Sequence, residues 1–445
     1  MERSQERDGG EGVAGREPDG AGLRLRREIG LWSAVSLIAG CMIGSGIFMS
    51  PQGVLVYVGS PGASLVVWAV CGLLAMMGAL CYAELGALVP KSGGEYAYIL
   101  QIFGSLPAFL VIYTFVLLVR PAAIAAVSLS FAEYAVAPFY PGCSSMPQAV
   151  LKAVAAICIL LLTLVNCWSS RLATMLMNAG RIGMAFYQGL WSFDGWNNVN
   201  YVLEELKNPK QNLVWALMIA IPLVTSLYLL VNISYLLVLS PNELLSSDAM
   251  AVSWGNQVLG DWAWLVPLAV TLSTLGSTNG TFFGGSRVCY VAAREGHMPQ
   301  LLSMVHVHRL TPTPALMFTA AVALVLVIPG NFSTIVNFLS FLGWITYGTT
   351  ISCLLYLRMK KNLPRPYKVP TVIPVIMLLA SLYLVLAPII DHPQIEFLYI
   401  FLFLLSGIPV YFLLVHFQCQ PKWLQMATMY LQLLLEVAPA IKNVD

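Results

Sequence analysis

Long apolar runs constrain this chain more than any other feature. Lipid hydrocarbon offers no hydrogen bonds, so a spanning segment must satisfy its own backbone, as a helix of about 20 apolar residues or within a closed barrel. Runs of helical length occur at Leu31–Tyr57, Ser64–Val89, Leu106–Ala137 and Ala149–Asn166. A weaker, interrupted stretch follows at Ile182–Val202. Further runs occupy Leu213–Leu239, Trp262–Tyr290, Ala315–Ile328, Phe332–Leu357, Val372–Ile390 and Ile395–Phe417. They predict an all-α integral membrane protein of about eleven spans embedded in a lipid bilayer. Composition agrees, since only 10% of the 445 residues are charged, against about 25% in an ordinary soluble domain.

Residues 1–28 are polar and end in Arg24, Arg26 and Arg27. With no apolar stretch before Leu31 they read as a disordered cytosolic tail rather than a cleavable signal peptide. Residues 29–418 form the transmembrane domain on this reading, and 419–445 a cytosolic C-terminal tail. Within that tail Trp423–Val437 has apolar residues at helical spacing together with Gln425, Gln432 and Glu436, which suits an interfacial helix. Lys and Arg mark the cytosolic loops: the leader, Lys207 to Lys210, Arg287 to Arg309, and Arg358 to Lys368. Both termini then lie inside. One conflict remains. Arg171 and Lys207 both fall inside, yet only the weak Ile182–Val202 stretch separates them. A single span cannot join two points on one side, so a crossing is missing or this stretch is re-entrant.

The nine cysteines show no CxxC pair. Cys41, Cys71, Cys81, Cys158, Cys167 and Cys353 lie in or beside apolar runs and read as small buried hydrophobes. Cys143 alone falls in a polar connection predicted to face outside, either as a free thiol or in a disulfide. His306 and His308 have no acidic partner at ligand spacing and read as loop residues. No nucleophile–base pair, phosphate loop or metal motif appears, so neither an enzyme nor a cofactor, metal or nucleic-acid partner is expected. Asn232 and Asn279 begin glycosylation triplets inside predicted spans and should be unmodified. Arg120, before Pro121 within the third span, reads as a structural pairing, with the lining of a cavity as the alternative.

Two spans are interrupted. Gly44-Ser45-Gly46 sits in the middle of the first. A glycine costs about 1 kcal/mol relative to alanine inside a helix, and bare backbone is tolerated at membrane depth only where it is buried in protein or lines a cavity. Local unwinding would free N–H groups at one half-helix and carbonyls at the other, suiting an anion and a cation respectively. An amino acid zwitterion carries both charges. Close packing through small residues is the competing reading. The second interruption, from Gln188 to Asn197, holds Gly189, Trp191, Phe193, Asp194, Gly195 and Trp196. An ionisable group at that depth is a functional signal, unless Asp194 lies in an aromatic belt at the water surface. Paired discontinuous helices point to a transporter's central site.

The motifs are familiar in their order. Gly44-Ser45-Gly46-Ile47-Phe48 followed by Ser50-Pro51 resembles the first-helix signature of the light subunits of heteromeric amino acid transporters, in the amino acid–polyamine–organocation superfamily. Cys81-Tyr82-Ala83-Glu84-Leu85-Gly86 is similar as well, as is Pro90-Lys91-Ser92-Gly93-Gly94-Glu95-Tyr96. Further along, Ala293-Arg294-Glu295-Gly296-His297 and Arg365-Pro366-Tyr367-Lys368-Val369-Pro370 match too. The resemblance implies the LeuT-type inverted-repeat fold, with about 11 spans recognisable here where the family has 12. It also implies sodium-independent amino acid exchange by alternating access at the plasma membrane. Phe186-Tyr187-Gln188-Gly189-Leu190-Trp191 and Asp194-Gly195-Trp196-Asn197 most resemble the cystine and dibasic group of that family.

Carried over by position, the substrate carboxylate meets backbone at Gly44, Ser45 and Gly46, the ammonium meets carbonyls near Met42 and Trp191, and Ile43 is counted with the substrate-binding residues. Trp191 resembles the family's aromatic gate. Phe193 and Trp191 are placed to stack a substrate ring, Asp194 to pair a cationic side chain, and Asn197 to complete the site. The substrates implied are neutral, aromatic and/or dibasic amino acids. Cys41 departs from the threonine or asparagine common at its position. Ser273 and Thr274 fall where this fold can hold sodium. Cys143 aligns with the cysteine that bonds a single-span glycoprotein heavy subunit. The main departure is at Asn178–Ala179, where the chain passes from the start of a fifth helix to the start of a sixth and omits on the order of 40 residues, about 20 of them helical. A shortened, transport-incompetent chain that competes for the heavy subunit is therefore the alternative reading.

Overall fold

The computed structural model describes residues 29–44, 51, 54–55, 60–136, 139, 147–168, 192–240, 243, 250–328, 332–360, 367–391, 395–416 and 422–439. The leader, Ser45, Gly46, Cys143, the Asn178–Ala179 junction and Trp191 lie outside the described residues. The expected runs are helical: α1 (Leu31–Met42), α2 (Pro61–Leu88), α3 (Glu95–Phe103), α4 (Ser105–Val136) and α5 (Gln148–Trp168). After a short turn of helix, α6 (Asn198–Tyr201), come α7 (Pro209–Val238), α8 (Met250–Val258), α9 (Leu265–Arg294), α10 (Thr313–Val327) and α11 (Phe332–Lys360). Helices α12 (Val372–Asp391), α13 (Ile395–Tyr411) and α14 (Lys422–Leu434) follow. Among the described residues, five helices are long and apolar enough to cross a membrane: α2, α4, α5, α7 and a stretch from Leu398 to His416 that includes most of α13.

These helices wear their apolar residues outward. On α2, Val66, Val70 and Leu73 are exposed at helical spacing, while Trp68, Cys71, Ala75 and Ala79 on the other face are buried. Exposed apolar surface on that scale suits lipid rather than water. Polar side chains are drawn inside instead. Asn232 donates to the Tyr228 carbonyl at 2.9 Å, and Asn279 accepts from Asn166 at 2.6 Å. Both are buried.

Helix α1 lies between α7 and α9, and α4 packs against α9, α10 and α5. Halfway along α4 the backbone widens into a π turn at Phe115–Val119, closed by the Arg120 N–H on the Phe115 carbonyl. Pro121 has no N–H to give, so the regular ladder fails here and a wider turn takes over. Arg120 therefore sits at an irregularity inside the bundle. At the tail, α14 carries Met426, Met429, Tyr430, Leu433 and Leu434 as an exposed apolar face. Beyond it a strand that the sequence did not suggest, β2 (Val437–Pro439), pairs antiparallel with β1 (Met304–His306).

Candidate functional site at two helix breaks

Helix α1 ends at Met42. Ile43 has left helical geometry (φ −79°, ψ 81°), and it forms a bend with Gly44. The last carbonyls of a helix lack intrahelical partners, and here side chains of neighbouring helices supply them. Ser277 Oγ donates to the Cys41 carbonyl at 3.2 Å, the Tyr228 hydroxyl lies 2.7 Å from the Met42 carbonyl, and Ser273 Oγ donates to Ile43 at 3.2 Å. A Cβ on Gly44 would lie 2.7 Å from Ser277 Oγ. Only glycine lets α9 approach the break this closely.

In the second interruption, residues 193–197 form a turn that leads into α6 and then a 3₁₀ turn at Leu203–Glu205. The pivot is Gly195, with φ +101°. A Cβ there would lie 2.8 Å from Cys41 Cβ, so the two interruptions touch. Tyr228 on α7 joins them a second time, since its hydroxyl lies 2.6 Å from the Ser192 carbonyl as well as near Met42. Tyr228 is fully buried. Tyr228→Phe is expected to destabilise the protein by about 1–3 kcal/mol, the cost of stranding a buried acceptor. Thermal unfolding in detergent tests this, and an unchanged melting temperature would refute the tie.

Two cavities meet at Asp194 and Ala123. The smaller, about 30 Å³, is lined by Cys41, Met42, Gly44, Asn198, Ser277 and Thr281 among others. The larger, about 90 Å³, runs from Asp194 to Glu95, Arg120, Trp344 and Tyr347. Asp194 accepts a hydrogen bond from the Tyr347 hydroxyl at 2.6 Å. Glu95 Oε1 accepts from Asn197 Nδ2 at 2.6 Å and from the Tyr201 hydroxyl at 3.2 Å. The Arg120 guanidinium lies 4.8 Å from the Phe115 ring centre and 4.7 Å from that of Tyr201.

Of the residues expected at the site, Met42, Gly44 and Asp194 line these cavities. Ile43 is buried and contributes its carbonyl to Ser273. Phe193 packs edge-on against Tyr228 at 4.8 Å and lines neither cavity. Asn197 also stands behind the wall, holding Glu95 and lying 2.8 Å from the Tyr201 hydroxyl. Arg120, expected as a structural pairing, instead lines the larger cavity and forms no ion pair with a described residue. Glu95, Tyr228, Ser277 and Tyr347 were not foreseen, although the last three are polar groups inside apolar runs, which must find buried partners. Ser273 and Thr274 donate their hydroxyl protons to the carbonyls of Ile43 and Thr271. Among the described residues, no three His, Cys, Asp or Glu side chains cluster as metal ligands do.

Apolar helices facing outward, around a polar cavity where two broken segments meet, define a multi-pass membrane carrier of a small polar solute. The sequence says which kind. The chain belongs to the Amino acid permease family, whose profile it matches over residues 29–182 and 177–414. It is 45% identical to the b(0,+)-type amino acid transporter 1 of Homo sapiens over 459 aligned positions, covering 93% of this chain and 94% of that protein. The Mus musculus protein of the same name is 45% identical over 463 positions, with 94% of each chain covered. The Large neutral amino acids transporter small subunit 2 of Mus musculus is 41% identical over 446 positions, covering 91% of this chain and 84% of that protein. In the human alignment 93% of 445 residues occupy 459 positions, so about 45 positions of the relative have no counterpart here. The two matched parts of the family profile meet at residues 177–182.

Proposed function

We propose that this chain is the light subunit of a sodium-independent amino acid exchanger, a carrier rather than an enzyme. One observation carries the reading: both helix breaks meet at a polar cavity on Asp194. The substrate ammonium sits at the carbonyl end of α1 beside Asp194, and the carboxylate meets backbone at Gly44, Ser45 and Gly46. Trp191 closes over it. Transport proceeds by alternating access, as the broken helices rock against the rest of a LeuT-type, inverted-repeat bundle. The protein lies in the plasma membrane with both termini cytosolic, and Cys143 bonds a single-span heavy subunit outside. The names of the relatives, amino acid transporters and the small subunit of one, support this assignment.

A second reading rests on the unmatched positions. About 45 positions of the human relative are absent, and the family match breaks at residues 177–182. That is the length of one span with its loop, at the place where the Lys and Arg pattern lacks a crossing. Such a chain would bind the heavy subunit and compete for it without transporting. Uptake of labelled leucine, arginine and phenylalanine, with and without a heavy subunit and with surface labelling, separates the two. Heavy-subunit-dependent uptake that Ser45→Trp abolishes is the expected result. A chain that reaches the surface and carries nothing would overturn the exchanger reading and leave the competitor.

A further inference from the structure

One cation in the larger cavity stands apart. Arg120 is 5% exposed, and its Nε–H meets no acceptor among the described residues. Its stem is pressed against α9, where a Cβ on Gly285 would lie 3.2 Å from Arg120 Cβ and Cγ. Its guanidinium lies over the Phe115 and Tyr201 rings. Contact with ring faces does not satisfy the in-plane Nε–H, which stays available to a substrate. Two carboxylates line the same cavity, Glu95 and Asp194. Each is held by neutral donors: Glu95 by Asn197 and Tyr201, and Asp194 by Tyr347. Neither is ion-paired to Arg120. A buried cation without direct pairing is expensive, and it is tolerated here because two carboxylates share the cavity, where low polarity lets charges act at a distance.

We propose that Arg120 sets the side-chain charge this site accepts, favouring neutral side chains and excluding cationic ones. The inference rests on the assignment of this cavity to an amino acid. With the substrate ammonium beside Asp194 and the substrate carboxylate on backbone N–H groups of the first break, Arg120 balances Glu95, and each carboxylate of the cavity faces one cation. A leucine or glutamine side chain preserves that balance, and the glutamine carbonyl can accept from the free Arg120 donor. A lysine side chain would add a positive charge next to a guanidinium. Asp194 on this account serves the ammonium, and the resemblance to dibasic carriers does not extend to substrate charge.

The test is equilibrium binding of labelled leucine, glutamine and lysine to the purified full chain in detergent. The wild type is expected to bind leucine and glutamine at least about tenfold more tightly than lysine. Arg120→Gln should reverse the order, Arg120→Lys should keep it, and Arg120→Gln with Glu95→Gln should restore it. Glu95→Gln alone leaves the cation unbalanced, so it should weaken lysine further and admit glutamate, which keeps the proposal testable if Arg120→Gln does not fold. Equal binding of lysine and leucine by the wild type would overturn the role of Arg120 while leaving the amino acid site intact. The same holds for an unchanged ratio in folded Arg120→Gln. No binding of any amino acid by the folded wild type would overturn the site assignment and this inference together.

Discussion

Replacing Glu205 with alanine is expected to lower folding stability by about 3–5 kcal/mol, because it strands a buried cation. Arg287 and Glu205 form a two-pronged pair, with Nε to Oε1 at 2.5 Å and Nη2 to Oε2 at 3.1 Å. Their side chains are only 3% and 8% exposed. The guanidinium also lies over Phe283, 3.4 Å from the ring centre. Glu205 does more than pair. Its carbonyl accepts from the Ile29 N–H at 3.1 Å, and the Lys207 N–H donates to the Ile29 carbonyl at 2.9 Å. The segment leaving the second interruption is thus fixed both to α9 and to the start of α1. Thermal unfolding in detergent measures the loss. A double variant, Glu205→Ala with Arg287→Met, should recover much of it, since a buried pair can be exchanged for apolar side chains at little cost. A Glu205→Ala protein as stable as the wild type would refute the clamp.

Gly195→Ala should have the largest effect on binding. With φ at +101°, the residue lies beyond what a Cβ-bearing side chain readily adopts, at a cost of about 1–3 kcal/mol. The added methyl would meet Cys41 Cβ at 2.8 Å and the Cys41 carbonyl carbon at 3.2 Å, and backbone cannot swing aside as a side-chain tip can. The two breaks must then separate, which displaces Asp194 from Met42 and Gly44. Amino acid binding is expected to fall by at least about tenfold, more than the strain alone would explain. Wild-type binding by a folded Gly195→Ala protein would mean the breaks need not touch.

Much of the site was legible because interruption is a local property. Gly44 and Gly195 are poor helix formers in runs that otherwise must be helical, so the breaks could be placed before the fold was known. Asp194 stood out as a carboxylate at membrane depth. Phe193 and Asn197 were also conspicuous, yet they stand behind the cavity wall, one against Tyr228 and one on Glu95. Sequence proximity to a break says that a residue is near. It does not say which way its side chain turns, because a turn at residues 193–197 sends successive side chains in different directions.

Glu95 and Tyr347 were missed for the complementary reason. Each lies far along the chain from the residue it serves, at a sequence separation of 102 for Glu95 and Asn197 and of 153 for Asp194 and Tyr347. Nothing local marks such a partner. Arg120 is the instructive case. A buried arginine must be compensated, so a paired residue was the natural expectation, and the π turn at Phe115–Val119 places it over two rings in a cavity instead.

The sequence by itself determined that this protein is helical, membrane-embedded and broken at two points, since the solvent dictates the first two and backbone chemistry the third. Its motifs also placed it among amino acid permeases. Only the tertiary structure decided that the breaks touch through Cys41 and Gly195, that Tyr228 ties them, and that Arg120 faces Glu95 and Asp194 across one cavity. The reason is physical: apolar spans are nearly interchangeable as packing surfaces, so hydropathy cannot say which helices become neighbours. That choice falls to a few close approaches and buried hydrogen bonds, whose partners lie far apart along the chain.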